Sequence, residues 1–251
     1  MLPEERQNLI VRIINETGSA SVKDLSLRFD VTEDSIRKDL AALQKRNLIR
    51  KTYGGALRIE EEERFVSQRK GKYLPDKQKI AKKVLRLLQD GDIIFLDIST
   101  TNIEVAKLLK TSGLTLTVVT NMIDVMLIMA GDEFNKCIFI GGEFTEGKDG
   151  FVGPLANREI SRYHFDKAFM GVVGLNPQLN SVSTYKLDDA ATKETIMKSS
   201  KKAYMLLETR KLAKEGTFVY AALNDFFGII TETPLSDEQK QNLADYDLTF
   251  I

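Results

Sequence analysis

The segment Val31-Thr32-Glu33-Asp34-Ser35-Ile36-Arg37-Lys38-Asp39-Leu40 places a polar cap, exposed charges and apolar residues in one helical order. Thr32 is an N-cap candidate, and Ile36, Leu40 and Leu43 recur at the spacing that buries one helix face. Glu33, Asp34, Ser35, Arg37 and Lys38 fall on the other face. Just upstream, Ser21 is a second cap candidate with Asp24 three residues on, followed by Val22, Leu25, Leu27 and Phe29. Two short helices joined through Phe29-Asp30-Val31-Thr32 form a helix-turn-helix, whose second helix enters the major groove of DNA. The first turn of that helix faces base edges, while Arg37 and Lys38 reach phosphates or guanine.

On the far side, Asn47-Leu48-Ile49-Arg50-Lys51-Thr52-Tyr53-Gly54-Gly55-Ala56-Leu57 sets two extended runs around a glycine pair. It reads as a β-hairpin, a wing beside the recognition helix that carries Lys51, Tyr53, Gly54 and Gly55 toward DNA. On the near side, Pro3 suits a first helical position and Glu4 and Glu5 the first turn. Leu9, Ile10, Ile13 and Ile14 make an apolar stripe that Gly18 stops.

The chain has 251 residues and a formal net charge of zero, which hides a local excess. Between residues 32 and 58 seven basic residues face three acidic ones, an imbalance that a phosphate backbone rewards. A charged fraction of 29% and an apolar fraction of 43% are those of a globular protein. No apolar run is long enough for a membrane span, and the N-terminus lacks a secretory pattern. One cysteine and one histidine exclude a disulfide framework and argue against a zinc site. Cys137 reads as a core residue, His164 as structural or solvent-facing. A reducing, cytoplasmic setting is expected, without membrane, metal or cofactor.

The N-terminal run and its wing resemble the DeoR-type family of bacterial repressors. That pattern has a valine, a capping serine or threonine, Ile-Arg-basic-Asp-Leu, and a wing ending in an aromatic residue or histidine before Gly-Gly-Ala. Tyr53 stands where histidine is common. Lys38 stands where arginine is common and gives up the bidentate fork.

Residues 1–58 therefore form a winged helix-turn-helix, and Glu60 to Glu63 mark a solvated linker assigned to 59–76, of which 65–76 is ambiguous. Residues 77–251 alternate strand and helix, which predicts an α/β domain with a mostly parallel sheet and helices on both faces. Strands are expected at 93–97, 114–120, 137–140, 166–173, 203–207 and 227–231, with helices over 77–89, 104–110, 122–129 and 193–200. Ligands of such sheets bind at the carboxyl ends of strands. The clearest such junction is Leu96-Asp97-Ile98-Ser99-Thr100-Thr101-Asn102, where hydroxyls meet a helix N-terminus that favours an anion. Asn121 and the Gly141-Gly142 pair follow the next two strands. Each junction taken alone reads equally as a helix cap or a turn.

The resemblance extends through this domain, including Val119-Thr120-Asn121, Ile140-Gly141-Gly142 and Asp166-Lys167-Ala168-Phe169. In that family it implies a sensor domain similar in fold to ribose-5-phosphate isomerase that responds to phosphorylated sugars. Carried over, the effector residues are Asp97, Ser99, Thr100, Thr101, Asn121, Gly141, Gly142, Lys193 and Lys211; Lys211 reads equally as a surface lysine. Two departures stand out. Ser99 occupies a glycine position, and Glu208-Thr209-Arg210-Lys211 replaces Asp-Ser-Ser-Lys. The expected protein is a non-enzymatic repressor, oligomeric as dimer or tetramer, that binds operator DNA and a phosphosugar. An activator and a phosphosugar isomerase built around Asp97 and Lys193 are the alternatives.

Overall fold

The computed structural model describes residues 3–45, 48–58 and 66–251, which fall in two compact units. The N-terminal unit runs α1 (Pro3–Thr17), β1 (Ser19–Ser21), α2 (Val22–Phe29), α3 (Glu33–Lys45), β2 (Ile49–Thr52) and β3 (Gly55–Arg58). The apolar stripes converge on one core, with Ile10, Ile14, Leu25, Ile36, Leu40 and Leu43 buried. Ser21 caps α2 by accepting the Asp24 N–H at 3.0 Å. Asp30 ends that helix in the left-handed region, a conformation Asp tolerates better than most residues. The wing gains a third strand that the sequence pattern did not indicate, because β1 pairs with β3 in the order β1-β3-β2. Gly55 permits it: a Cβ there would sit 2.2 Å from the Ala20 carbonyl oxygen.

The second unit begins earlier than residue 77, with α4 (Val66–Arg69) and α5 (Leu74–Leu85). Buried Val66 belongs to this unit's core, so residues 66–76 are folded rather than linking. The glutamates at 60–63 lie outside the described residues, as do the side chains of Arg50 and Arg58. Next come β4 (Ile93–Leu96), α6 (Thr100–Leu109), β5 (Thr117–Thr120), α7 (Ile123–Met129), β6 (Lys136–Phe139), β7 (Glu143–Phe144), β8 (Phe151–Val152) and α8 (Pro154–Ile160). The chain continues through β9 (Phe165–Gly171), β10 (Gly174–Asn176), β11 (Ser181–Thr184), α9 (Leu187–Lys198) and β12 (Ser200–Leu206). It closes with β13 (Phe218–Ala221), β14 (Gly228–Ile230), α10 (Asp237–Gln241) and β15 (Thr249–Phe250). Among the described residues no helix is long and apolar enough to cross a membrane.

Seven strands form one parallel sheet in the order β15-β14-β12-β9-β4-β5-β6. Its strands are apolar on both faces because helices cover both. Phe95, Val119, Ala168 and Met205 point into one core with Ile160 and Ile196 from α8 and α9. Ile94, Leu96, Val118 and Phe169 point into the other with Ile80, Val105 and Val125 from α5, α6 and α7. The chain moves outward from β4 to β5 and β6, then returns to the opposite side of β4 at β9. That reversal is a topological switch point, where the two following connections part and leave a crevice at the carboxyl ends. An antiparallel sheet, β10-β11-β13, follows β9, with two of its strands in the stretch between 173 and 203 where the sequence reading placed none.

Candidate functional site

Two surfaces carry the candidate functional residues. On α3 the Thr32 hydroxyl accepts the Ser35 N–H at 3.3 Å, fixing the helix start. Glu33, Asp34, Arg37 and Lys38 are all solvent-facing and pair along the helix, Arg37 to Glu33 at 2.6 Å and Lys38 to Asp34 at 3.0 Å. Lys38 holds the Asp34 carboxyl below its ordinary range by hydrogen bond and charge. Exposed pairs of this kind are worth little, so a phosphate or a base edge can replace the carboxylate on Arg37 or Lys38. Tyr53 stands fully exposed at the wing tip beside Gly54, with Lys51 exposed on β2. Ser21 caps α2, and Gly55 sits where β3 passes close to β1. The sequence pattern assigned Asp39 no role. It is buried and accepts from Arg6 at 2.6 Å and Gln7 at 3.0 Å, fastening α1 to α3.

The second surface is an open cavity at the switch point, enclosing about 850 Å³ of non-protein space including solvent at its mouth. Its floor comes from the β4–α6 turn at Ile98, Ser99 and Thr100, and from the end of β9 at Gly171, Val172 and Val173. Ser99 caps α6 in an extended conformation, accepting the Thr101 N–H at 3.2 Å, so serine fits the position without strain. Gly171 makes room for it: a Cβ at that position would lie 2.4 Å from the Ser99 Cβ.

Lys193 from α9 reaches the floor and is almost completely buried. Its ammonium is in contact with the Asp97 carboxylate and donates to the Gly171 carbonyl at 3.2 Å. Burial opposes the charge on Lys193, but Asp189 and Asp97 outweigh it and raise its pKa, so the lysine stays protonated. Asp97 lies behind the lining and also accepts from Gly171 N–H and Asn102 Nδ2, each at 2.9 Å. Tyr220 packs nearby with no partner for its hydroxyl. Burial first, then Asp97 and Asp189, push that phenol well above its ordinary pKa.

Lys211 also lines the cavity, donating to the Val172 carbonyl at 3.3 Å and pairing with Glu208 at 3.0 Å. Arg69 on α4 and Lys186 before α9 bring further positive charge, the latter paired to Glu146. Asp149, Asp188 and Asp189 supply acceptors suited to hydroxyl groups. Four other carried-over residues do not line the cavity. Thr101 is buried within α6. The Asn121 side chain donates to the Phe151 carbonyl at 2.8 Å. The Gly141-Gly142 pair turns the chain toward β7, and a Cβ on Gly142 would lie 2.7 Å from the Val152 oxygen. Conversely, Val66, Arg69, Thr184 and Lys186 escaped the sequence reading. They come from a segment with no periodicity and from the unforeseen strand β11 and the turn that follows it.

Residues 6–62 match the DeoR-like helix-turn-helix domain, and residues 73–233 the DeoR C terminal sensor domain. An uncharacterized HTH-type transcriptional regulator of Bacillus subtilis, YulB, is 32% identical over 98% of this chain and 95% of that protein. The L-fucose operon activator of Haemophilus influenzae is 29% identical over 98% of each chain. The lactose phosphotransferase system repressor of Staphylococcus epidermidis is 25% identical over 96% of each. Among solved structures, ribose 5-phosphate isomerase A of Methanocaldococcus jannaschii aligns at 16% identity with a TM-score of 0.40, over 55% of this chain and 54% of that one.

Proposed function

The chain belongs to the DeoR family of DNA-binding transcriptional regulators, and on that premise we propose that it represses a sugar-metabolism operon and leaves its operator when a phosphorylated sugar fills the cavity. The observation that carries this reading is the meeting of Arg69, Lys193 and Lys211 with the α6 N-terminus at the sheet's switch point. Cations and backbone amides suit a phosphate, and the surrounding carboxylates suit sugar hydroxyls. The repressor among its relatives and the sugars in two of their names support the same reading.

It is a regulator and not an isomerase, in keeping with its family. The Asp97–Lys193 pair supports that view physically. Each group saturates the other, so neither is poised to abstract a proton from a ligand. The DNA interface in this reading is the exposed face of α3 with Lys51, Tyr53 and Gly54 of the wing. Two copies acting together match the half-sites of a palindromic operator, so a homodimer or tetramer is the working form. Ligand control requires different affinities for the DNA-competent and released states.

Calorimetric titration of the full chain with a panel of pentose and hexose phosphates tests the ligand. One member should bind, and Lys211→Met should weaken it roughly tenfold or more, as expected for loss of a charged hydrogen bond. Absence of binding by every sugar phosphate contradicts the ligand reading.

A further inference from the structure

The Glu208-Thr209-Arg210-Lys211 departure forms a charge relay that leads out of the cavity. Glu208 is buried, and its carboxylate holds two cations that point in different directions. On one side Lys211 pairs with it at 3.0 Å and lines the cavity. On the other, Arg210 pairs with it at 3.0 Å, lies outside the lining, and stacks 3.7 Å from the Tyr73 ring centroid. Tyr73 is the left-handed residue of the turn that joins α4 to α5.

Lys77 closes the same turn from inside. Although almost fully buried, it donates to the Arg69 carbonyl at 2.9 Å and to the Lys72 carbonyl at 2.6 Å, gripping the C-terminal end of α4. Lys77, Arg210 and Lys211 thus gather around one buried carboxylate, with Arg69 close to Lys77 and Lys211. Lys211, Arg210 and Lys77 together overcome burial and keep Glu208 below its ordinary pKa. Burial, aided by the neighbouring cations, brings Lys77 down to about 8. Positive charge in this excess is relieved by an anion in the adjoining cavity.

The turn matters because of where the chain comes from. α4 is the first described segment after the wing strand β3, and both Val66 and Arg69 line the cavity. α4 is therefore the described element through which a change in the cavity first meets the chain that leads back to β3.

We propose that Arg210 is a positioning residue that reports cavity occupancy to α4, through Lys211 and Glu208 on one side and Tyr73 on the other. An anion on Lys211 draws that lysine's charge from Glu208. Glu208 then holds Arg210, and Arg210 the Tyr73 turn, more firmly. The docked α4 in turn changes the affinity for DNA. This inference rests on the cavity being the effector site.

The test compares full-length wild type with Arg210→Ala, whose changed side chain is partly exposed and outside the cavity lining. Hydrogen exchange of residues 66–73 is measured without ligand and with the sugar phosphate that binds most tightly in calorimetry, alongside affinity for DNA selected by the protein from a random pool. In wild type the sugar phosphate should slow exchange of α4 and change DNA affinity about tenfold, a usual size for allosteric coupling. In R210A, at a ligand concentration that saturates the variant in calorimetry, both responses should shrink to less than about twofold. Full retention of both responses overturns the relay. If no sugar phosphate binds wild type, the effector reading fails. Ligand-free exchange in R210A then still decides the relay, which predicts faster exchange at 66–73 and is overturned by equal rates.

Discussion

Asp97→Asn removes the charge that balances Lys193 while leaving the side chain nearly isosteric. The Lys193 side chain is 5% exposed and that of Asp97 1%, so water cannot take over the lost partner. Breaking a buried pair from one side costs about 3–5 kcal/mol. Lys193 keeps the Gly171 carbonyl and the nearby charge of Asp189, and the substituted amide oxygen can still accept from Gly171 and Asn102. The lower end, about 3 kcal/mol, is therefore expected. For a unit of this size that lowers the melting temperature by roughly 6–12 °C. The chain has no tryptophan, so far-UV circular dichroism of the full protein is the suitable assay. The double variant Asp97→Asn with Lys193→Met removes both charges and should lose less than the sum of the two single changes. A loss below about 1 kcal/mol for D97N, or strict additivity in the double variant, refutes the buried ion pair.

Asp39→Ala should destabilise the N-terminal unit by about 2–3 kcal/mol, because Arg6 and Gln7 lose their shared acceptor; thermal melts that match wild type contradict this. Gly171→Ala should abolish sugar phosphate binding in calorimetry by driving a methyl into Ser99, and adding Ser99→Gly should restore part of it; unimpaired binding by G171A contradicts the packing. For Lys77, the folded pKa of about 8 lies below its ordinary 10.5. Between those values the unfolded chain binds the proton that the folded chain does not, so this group makes stability rise with pH across that window. Lys77→Met should flatten the rise in urea unfolding followed from pH 8 to 10.5, and an equal slope in both proteins removes Lys77 as its source.

Where local rules coincide, the sequence is a reliable guide. Ser21, Thr32 and the Ile36–Leu40–Leu43 stripe each obey cap and periodicity rules that need no distant partner, so α2 and α3 could be read directly. Strand β4, Ile93–Leu96, is a continuous apolar run because both sheet faces are covered there, and that too is a local signal. Long-range pairing is not. The third wing strand depends on Gly55 admitting the Ala20 backbone, and the antiparallel sheet after β9 on partners as far apart as Val182 and Ala221. The cavity follows the same division. Ser99, Thr100, Lys193 and Lys211 sat in motifs, whereas Arg69 and Lys186 reach it only through tertiary folding. Asn121 and the Gly141-Gly142 pair lie at strand ends as such a motif demands, yet packing engages them away from the lining.

The proposed switch is DNA binding that answers to the cavity. Its most direct measurement is fluorescence anisotropy of the full-length protein on a duplex selected from random DNA, titrated with the pentose and hexose phosphates. One sugar phosphate should lower the DNA affinity about tenfold or more, and Lys211→Met should need far higher concentrations for the same effect. Tight, sequence-specific DNA binding that no sugar phosphate alters would contradict it.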